Sequence, residues 1–166
     1  MTQTGRYATI SKQGDRAMYV ERIFDATRDR VWDAYTIPSQ ISQWWGRGNT
    51  LVVERMEFER GGHWRYVEYS PSGGGQQLNG FEGRYREISP KDRIVRTFEW
   101  DGMPGYVSVE STTFVDLGDG RTKIINTLQC FTPEECDGMM GAGMERGMND
   151  SYEALDRLLS GVPVNV

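Results

Sequence analysis

The chain has 166 residues, enough for one domain with a real core, and its 37% hydrophobic and 26% charged residues are ordinary for a soluble globular protein. A net charge of -5, with lysines and arginines scattered rather than clustered, argues against a nucleic-acid surface, which needs concentrated positive charge. No apolar stretch approaches the roughly 18 residues of a membrane span, and the N-terminus carries no apolar signal core, so a cytoplasmic location is expected.

Residues 1–15 are polar, contain Gly5 and Gly14, and read as a flexible N-terminal arm; residues 16–161 read as a single domain. The run Ala17 to Phe24 predicts a strand with Met18, Val20 and Ile23/Phe24 apolar. Thr27 suits the N-cap of a short helix over 28–35, which sets Val31, Trp32 and Tyr35 at helical spacing. Pro38 opens a second short helix through Ile41, Trp44 and Trp45, and Gly46 and Gly48 end it.

From Leu51 to Phe131 the sequence changes to strands over 51–58, 62–70, 76–88, 93–100, 106–117 and 121–131, rich in Val, Ile, Thr and aromatic residues. Gly61-Gly62, Pro71 to Gly75, Ser89 to Asp92, Asp101 to Gly105 and Gly118 to Gly120 separate them. These connections are short, so consecutive strands should pair antiparallel. Thr132-Pro133-Glu134-Glu135 then starts a helix, with Thr as cap, Pro at the first position and Glu135 completing a capping box. It runs to about Leu159 and ends at Gly161 with Pro163 beyond; the pattern admits a break near Gly138.

The fold class is therefore α+β. A curved seven-stranded antiparallel sheet has one face to cover, and the long C-terminal helix is the element large enough to cover it. The two short helices after the first strand can close one end. Such a helix across a curved sheet leaves room for a cavity, and cavities of that kind are ligand sites.

Val31-Trp-Asp-Ala-Tyr-Thr36, Trp44-Trp45, Glu59-Arg-Gly-Gly-His-Trp64 and Gly80-Phe-Glu-Gly-Arg-Tyr-Arg-Glu-Ile-Ser-Pro90 with Arg93-Ile-Val95 occur in that order. Gly143-Met-Glu-Arg-Gly147, Tyr152 and Leu155 to Leu159 close the series. Over about residues 16–160 the chain resembles the START/Bet v 1-like (SRPBCC) superfamily, in its branch similar to the C-terminal domain of the Hsp90 ATPase activator. The resemblance implies the helix-grip fold with an internal cavity. It implies no particular chemistry, because that superfamily holds lipid carriers, polyketide cyclases and aromatases, an antibiotic-inactivating protein and chaperone regulators.

Met140, Met144, Met148, Tyr152, Leu155 and Leu159 form one helical face. Core packing is the plain reading. As cavity wall, the unbranched, polarizable methionines would suit varied apolar ligands. The same helix carries Gly138, Gly141, Gly143 and Gly147, each costing about 1 kcal/mol relative to alanine. Gly143, Gly147 and Ser151 share a face, which points to close backbone approach; a kinked or mobile gate over 138–148 is the alternative.

Candidate ligand-binding residues are Trp45, Trp64, Tyr66, Phe81, Trp100 and Tyr106 with Met140, Met144, Met148 and Tyr152. Trp64 and Tyr66 share one face of their strand and would add oriented polar groups to an apolar pocket. His63, the single histidine, points opposite to Trp64 and would need a carboxylate partner to act as a base. Glu68, Glu82, Arg84, Arg96, Glu99 and Glu110 lie on strands and read mainly as exposed cross-strand ion pairs. Cys130 and Cys136 fit a reducing compartment, with a disulfide the less favoured reading. No residue is assigned a catalytic role, and no metal or cofactor is expected.

The function expected is binding of a small hydrophobic or aromatic molecule between sheet and C-terminal helix. One alternative is a cyclase-, aromatase- or hydrolase-type enzyme, which requires a buried charged residue in the cavity. Another is a chaperone-regulating or other protein-interaction domain. No nucleic acid or membrane span is expected, and a homodimer through a sheet face or the helix is left open.

Overall fold

The computed structural model describes residues 7–71 and 75–161. Residues 1–6 of the arm, the centre of the break between Pro71 and Gly75, and Pro163 lie outside the described residues.

Among the described residues eight strands form one antiparallel sheet. They are β1 (Ser11–Lys12), β2 (Ala17–Phe24), β3 (Thr50–Met56), β4 (His63–Tyr69), β5 (Gln77–Ser89), β6 (Arg93–Trp100), β7 (Ser108–Gly118) and β8 (Arg121–Gln129). The order across the sheet is β1-β2-β8-β7-β6-β5-β4-β3. Thus β3 to β8 make the expected meander, and β2 returns to pair with β8. Register shifts in the pairs β3/β4, β4/β5, β5/β6 and β7/β8 bend the sheet into a trough.

The strand count differs from the expected seven by β1, which falls in the polar arm. Two exposed residues carry no apolar alternation for a sequence reading to find. The pair is held from outside: Gly14 turns the chain with a φ of 70°, and Gln13 N–H donates to Ala17 O at 2.9 Å. Just upstream, Ala8 N–H donates to Asn149 Oδ1 and Ile10 N–H to Glu145 Oε2, at 2.8 and 2.7 Å.

Among the described residues four helices lie on the concave side: α1 (Arg28–Thr36), α2 (Pro38–Ile41), α3 (Pro133–Gly141) and α4 (Met144–Leu159). Thr27 caps α1 by accepting from Arg30 N–H, and Thr132 caps α3 by accepting from Glu135 N–H, both at 3.3 Å. The predicted long helix is two helices. The break is at Gly143, whose φ of 85° leaves the right-handed helical region, and not near Gly138, which stays helical with Met103 packed over it. A left-handed residue is cheap only where there is no Cβ.

Gly147 does what the small-residue face suggested. A Cβ there would run into Arg47 Cδ and lie 3.0 Å from Arg47 Cγ. One turn on, Ser151 Oγ accepts the backbone N–H of Arg47 at 2.9 Å and of Gly46 at 3.4 Å. The loop after α2 therefore lies directly on α4. Cys130 and Cys136 are joined as a disulfide that ties the end of β8 to the first turns of α3, contrary to the free thiols expected. Their six-residue separation spans the capped start of α3, which brings the Cα atoms to 5.8 Å, within bonding reach.

Candidate functional site

Between trough and helices lies a cavity of about 160 Å³. Its sheet side is built by alternation. In β6, Ile94, Arg96 and Phe98 all face inward, as do Phe81 and Tyr85 in β5 and Glu110 and Thr112 in β7. Trp44, Trp45 and Arg47 close one side from the loop after α2, and Met139, Met144 and Met148 close another from α3 and α4. Most of the wall is aromatic or thioether. Trp45 stands edge-on to Phe81 and to Tyr66, each at 5.1 Å between ring centres.

Across this apolar wall runs a row of polar groups set by strand register. Tyr85 is opposite Arg96, and Arg96 is opposite Glu110. Arg96 Nε donates to Glu110 Oε1 at 2.7 Å, and Arg96 Nη1 donates to the Tyr66 hydroxyl at 3.2 Å. The guanidinium also sits 3.8 Å over the Trp64 ring, a cation–π contact in a desolvated place. Asn126 Nδ2 donates to Glu110 Oε2 at 3.2 Å and to Thr112 Oγ1 at 3.0 Å. Burial alone would lower the Arg96 pKa; Glu110 and the two tyrosine oxygens outweigh it and hold the guanidinium firmly charged.

The Tyr85 hydroxyl is different. It is buried, close to Tyr66 and Arg96, yet makes no hydrogen bond of acceptable geometry among the described residues. Burial first, then the Tyr66 oxygen, raises its pKa far above the ordinary tyrosine value. Burial and the Glu110 charge do the same for Tyr152, and burial with the Tyr152 oxygen does so for Tyr35.

These shifts carry a pH prediction. A tyrosine whose folded pKa is raised stabilises the fold fully below its unfolded value of about 10, and the contribution is lost as pH rises above that. Stability should fall above about pH 10 by about 1.4 kcal/mol per pH unit for each of the three that ionises on unfolding. The exposed tyrosines, such as Tyr106, contribute to the tyrosinate absorbance at about 295 nm first, and a further rise from the buried three should accompany loss of far-UV circular dichroism. Titration of these tyrosines well before unfolding would contradict their burial.

Of the residues expected at a ligand site, Trp45, Phe81, Trp100, Met144, Met148 and Tyr152 line the cavity. Trp64 and Tyr66 do share an inward face, but they are fully buried behind Arg96 and Phe98 and do not reach the wall. Tyr106 is half exposed in the turn before β7. Met140 packs on the core beside the cavity, and its neighbour Met139 takes the wall position because the break at Gly143 rotates α3 relative to α4. Of the six strand charges, Glu68, Arg96 and Glu110 turn inward and Glu82, Arg84 and Glu99 outward, so the exposed-ion-pair reading is corrected for Glu68, Arg96 and Glu110. His63 is on the outer face, with Nδ1 3.0 Å from Arg55 Nη1. Among the described residues no group of three His, Cys, Asp or Glu side chains could hold a metal, and no helix is long and apolar enough to cross a membrane.

A family model described as activator of Hsp90 ATPase homolog 1-like protein matches residues 25–160. The chain belongs to this family. The fold seen here is also that of solved structures of low sequence identity. A Rhodobacter sphaeroides protein is 24% identical with a TM-score of 0.81, covering 93% of this chain and 98% of its own. An Arthrobacter aurescens protein is 23% identical with a TM-score of 0.81, covering 92% and 91%. Protein Ms6760 from Mycobacterium smegmatis is 19% identical with a TM-score of 0.80, covering 92% and 96%. No curated protein matches the sequence.

Proposed function

We propose that this member of the Hsp90 ATPase activator homolog 1-like family binds a small, mainly apolar aromatic molecule between its sheet and the pair α3–α4. The observation that supports this reading is the cavity itself. At about 160 Å³ it is comparable to an engineered cavity known to take up benzene, and its wall is mostly aromatic side chains and Met. Aromatic rings in the wall favour an aromatic guest, which they can meet edge-on or stacked. Methionines from two helices meeting at Gly143 let the wall adapt to it.

Single-ring aromatic compounds should raise the melting temperature and quench tryptophan fluorescence through Trp44, Trp45 and Trp100. Met148→Trp should fill the space and abolish both effects while the protein stays folded. If no such compound stabilises the parent protein, the reading fails.

Catalysis on the same guest is a second reading, favoured by the buried charged pair of Arg96 and Glu110 on the cavity wall. It predicts that a bound compound is chemically changed over time, seen by mass spectrometry, and that Glu110→Gln stops the change without stopping binding.

A further inference from the structure

We propose that Tyr85 is the recognition group of this cavity, and that its hydroxyl donates a hydrogen bond to an uncharged acceptor oxygen, such as a ketone carbonyl, on an aromatic guest. The inference rests on the reading of the cavity as a binding site and adds to it the chemistry of the ligand.

Three observations carry it. The Tyr85 side chain is 2% exposed, lines the cavity, and its hydroxyl makes no hydrogen bond of acceptable geometry among the described residues. Buried polar atoms are rarely left unmatched, and one on a side chain that lines a cavity can be matched by a guest held there. Second, the hydroxyl has a proton to give. Burial keeps it protonated, and the nearby Tyr66 oxygen already accepts from Arg96. Third, the charge beside it is balanced. Arg96 is matched by Glu110 at 2.7 Å, with Asn126 satisfying the second carboxylate oxygen. A carboxylate guest would bring an unmatched negative charge next to Glu110, and an ammonium guest would face Arg96. Either would be an uncompensated buried charge. A neutral oxygen avoids both costs.

Three compounds of one skeleton separate the possibilities: acetophenone, α-methylstyrene (in which CH₂ replaces the oxygen) and benzoate. Calorimetry or tryptophan quenching should show acetophenone binding about tenfold more tightly than α-methylstyrene, the difference one buried hydrogen bond makes. Benzoate should bind most weakly. In Tyr85→Phe the first two should become equal. The ring keeps its packing against Phe58, 5.1 Å between centres, so this variant should fold and be at least as stable as the parent. The infrared carbonyl stretch of bound acetophenone should lie below its position in hydrocarbon solvent and return there in Tyr85→Phe.

Equal affinities for acetophenone and α-methylstyrene with an unshifted carbonyl stretch would overturn the inference and leave the binding reading standing. So would benzoate binding tightest, or a Tyr85→Phe protein less stable than the parent, which would mean the hydroxyl is already bonded within the fold. Absence of binding by all three compounds would overturn both readings.

Discussion

Truncating Glu110 to alanine should destabilise the fold by about 3–5 kcal/mol, read as a lower denaturation midpoint in urea. Arg96 is held between β5 and β7 with only 10% of its side chain exposed, and Glu110 is its one close carboxylate among the described residues. Without it, the guanidinium keeps its cation–π contact with Trp64 and its bond to Tyr66, but its charge is unmatched in a largely buried place. Removing both charges, as Arg96→Met with Glu110→Leu, should recover most of the loss, because desolvation of the pair disappears along with its attraction. If the double variant is as unstable as Glu110→Ala alone, volume and packing rather than charge explain the effect. The milder Glu110→Gln, which keeps an acceptor, bears on ligand choice. It leaves Arg96 positive and unbalanced, so benzoate should gain affinity over the parent protein while acetophenone changes little. A site whose selectivity can be moved from neutral to anionic by one atom would tie the balanced pair directly to the guest.

Much of the fold was legible because it is written in local chemistry. The N-cap oxygens of Thr27 and Thr132, the Gly and Pro punctuation, and the β-branched runs mark element ends without knowledge of what packs on what. The site was harder, because it depends on register. Nothing local says that Tyr85, Arg96 and Glu110 stand opposite one another on three strands. A partial signal was present, however. Ile94-x-Arg96-x-Phe98 and Trp64-x-Tyr66-x-Glu68 place a charge in the apolar phase of an alternation, and period two alone turns that charge inward. Weighing each charge by its phase, rather than treating all six as surface pairs, separates Arg96 and Glu68 from Glu82, Arg84 and Glu99. The helix break shows the opposite limit. Gly138, Gly141 and Gly143 are equivalent in sequence, and only the packing chooses Gly143 as the left-handed one. Likewise β1 exists because Gly14 and the backbone of β2 hold it, not because its own two residues favour a strand.

Arg47→Ala should cost a similar 3–5 kcal/mol, and it should also reverse the effect of a second substitution. Arg47 adopts a left-handed φ of 54° and sends its side chain between α4 and the sheet. There Nε and Nη2 donate to the two oxygens of Glu68 at 3.1 and 2.9 Å, and Glu68 is fully buried. Asn49 and Asn79 also donate to that carboxylate, at 3.4 and 3.2 Å, but they bring no positive charge. Truncation therefore leaves a buried carboxylate without a counter-ion, and it empties the space that Gly147 keeps open for the arginine stem. In the parent protein Gly147→Ala forces a Cβ into that stem and should destabilise by about 1–3 kcal/mol, since the stem is pinned at its far end and cannot simply swing away. In the Arg47→Ala background the same change meets no stem and should stabilise by up to about 1 kcal/mol, the ordinary gain of alanine over glycine within a helix. A double-mutant cycle by urea denaturation reads this sign change directly. If Gly147→Ala is equally harmful in both backgrounds, Gly147 is required by something other than Arg47. If the sign reverses, the glycine in α4 exists to admit one arginine, and that arginine lines the cavity at the point where loop, sheet and helix meet.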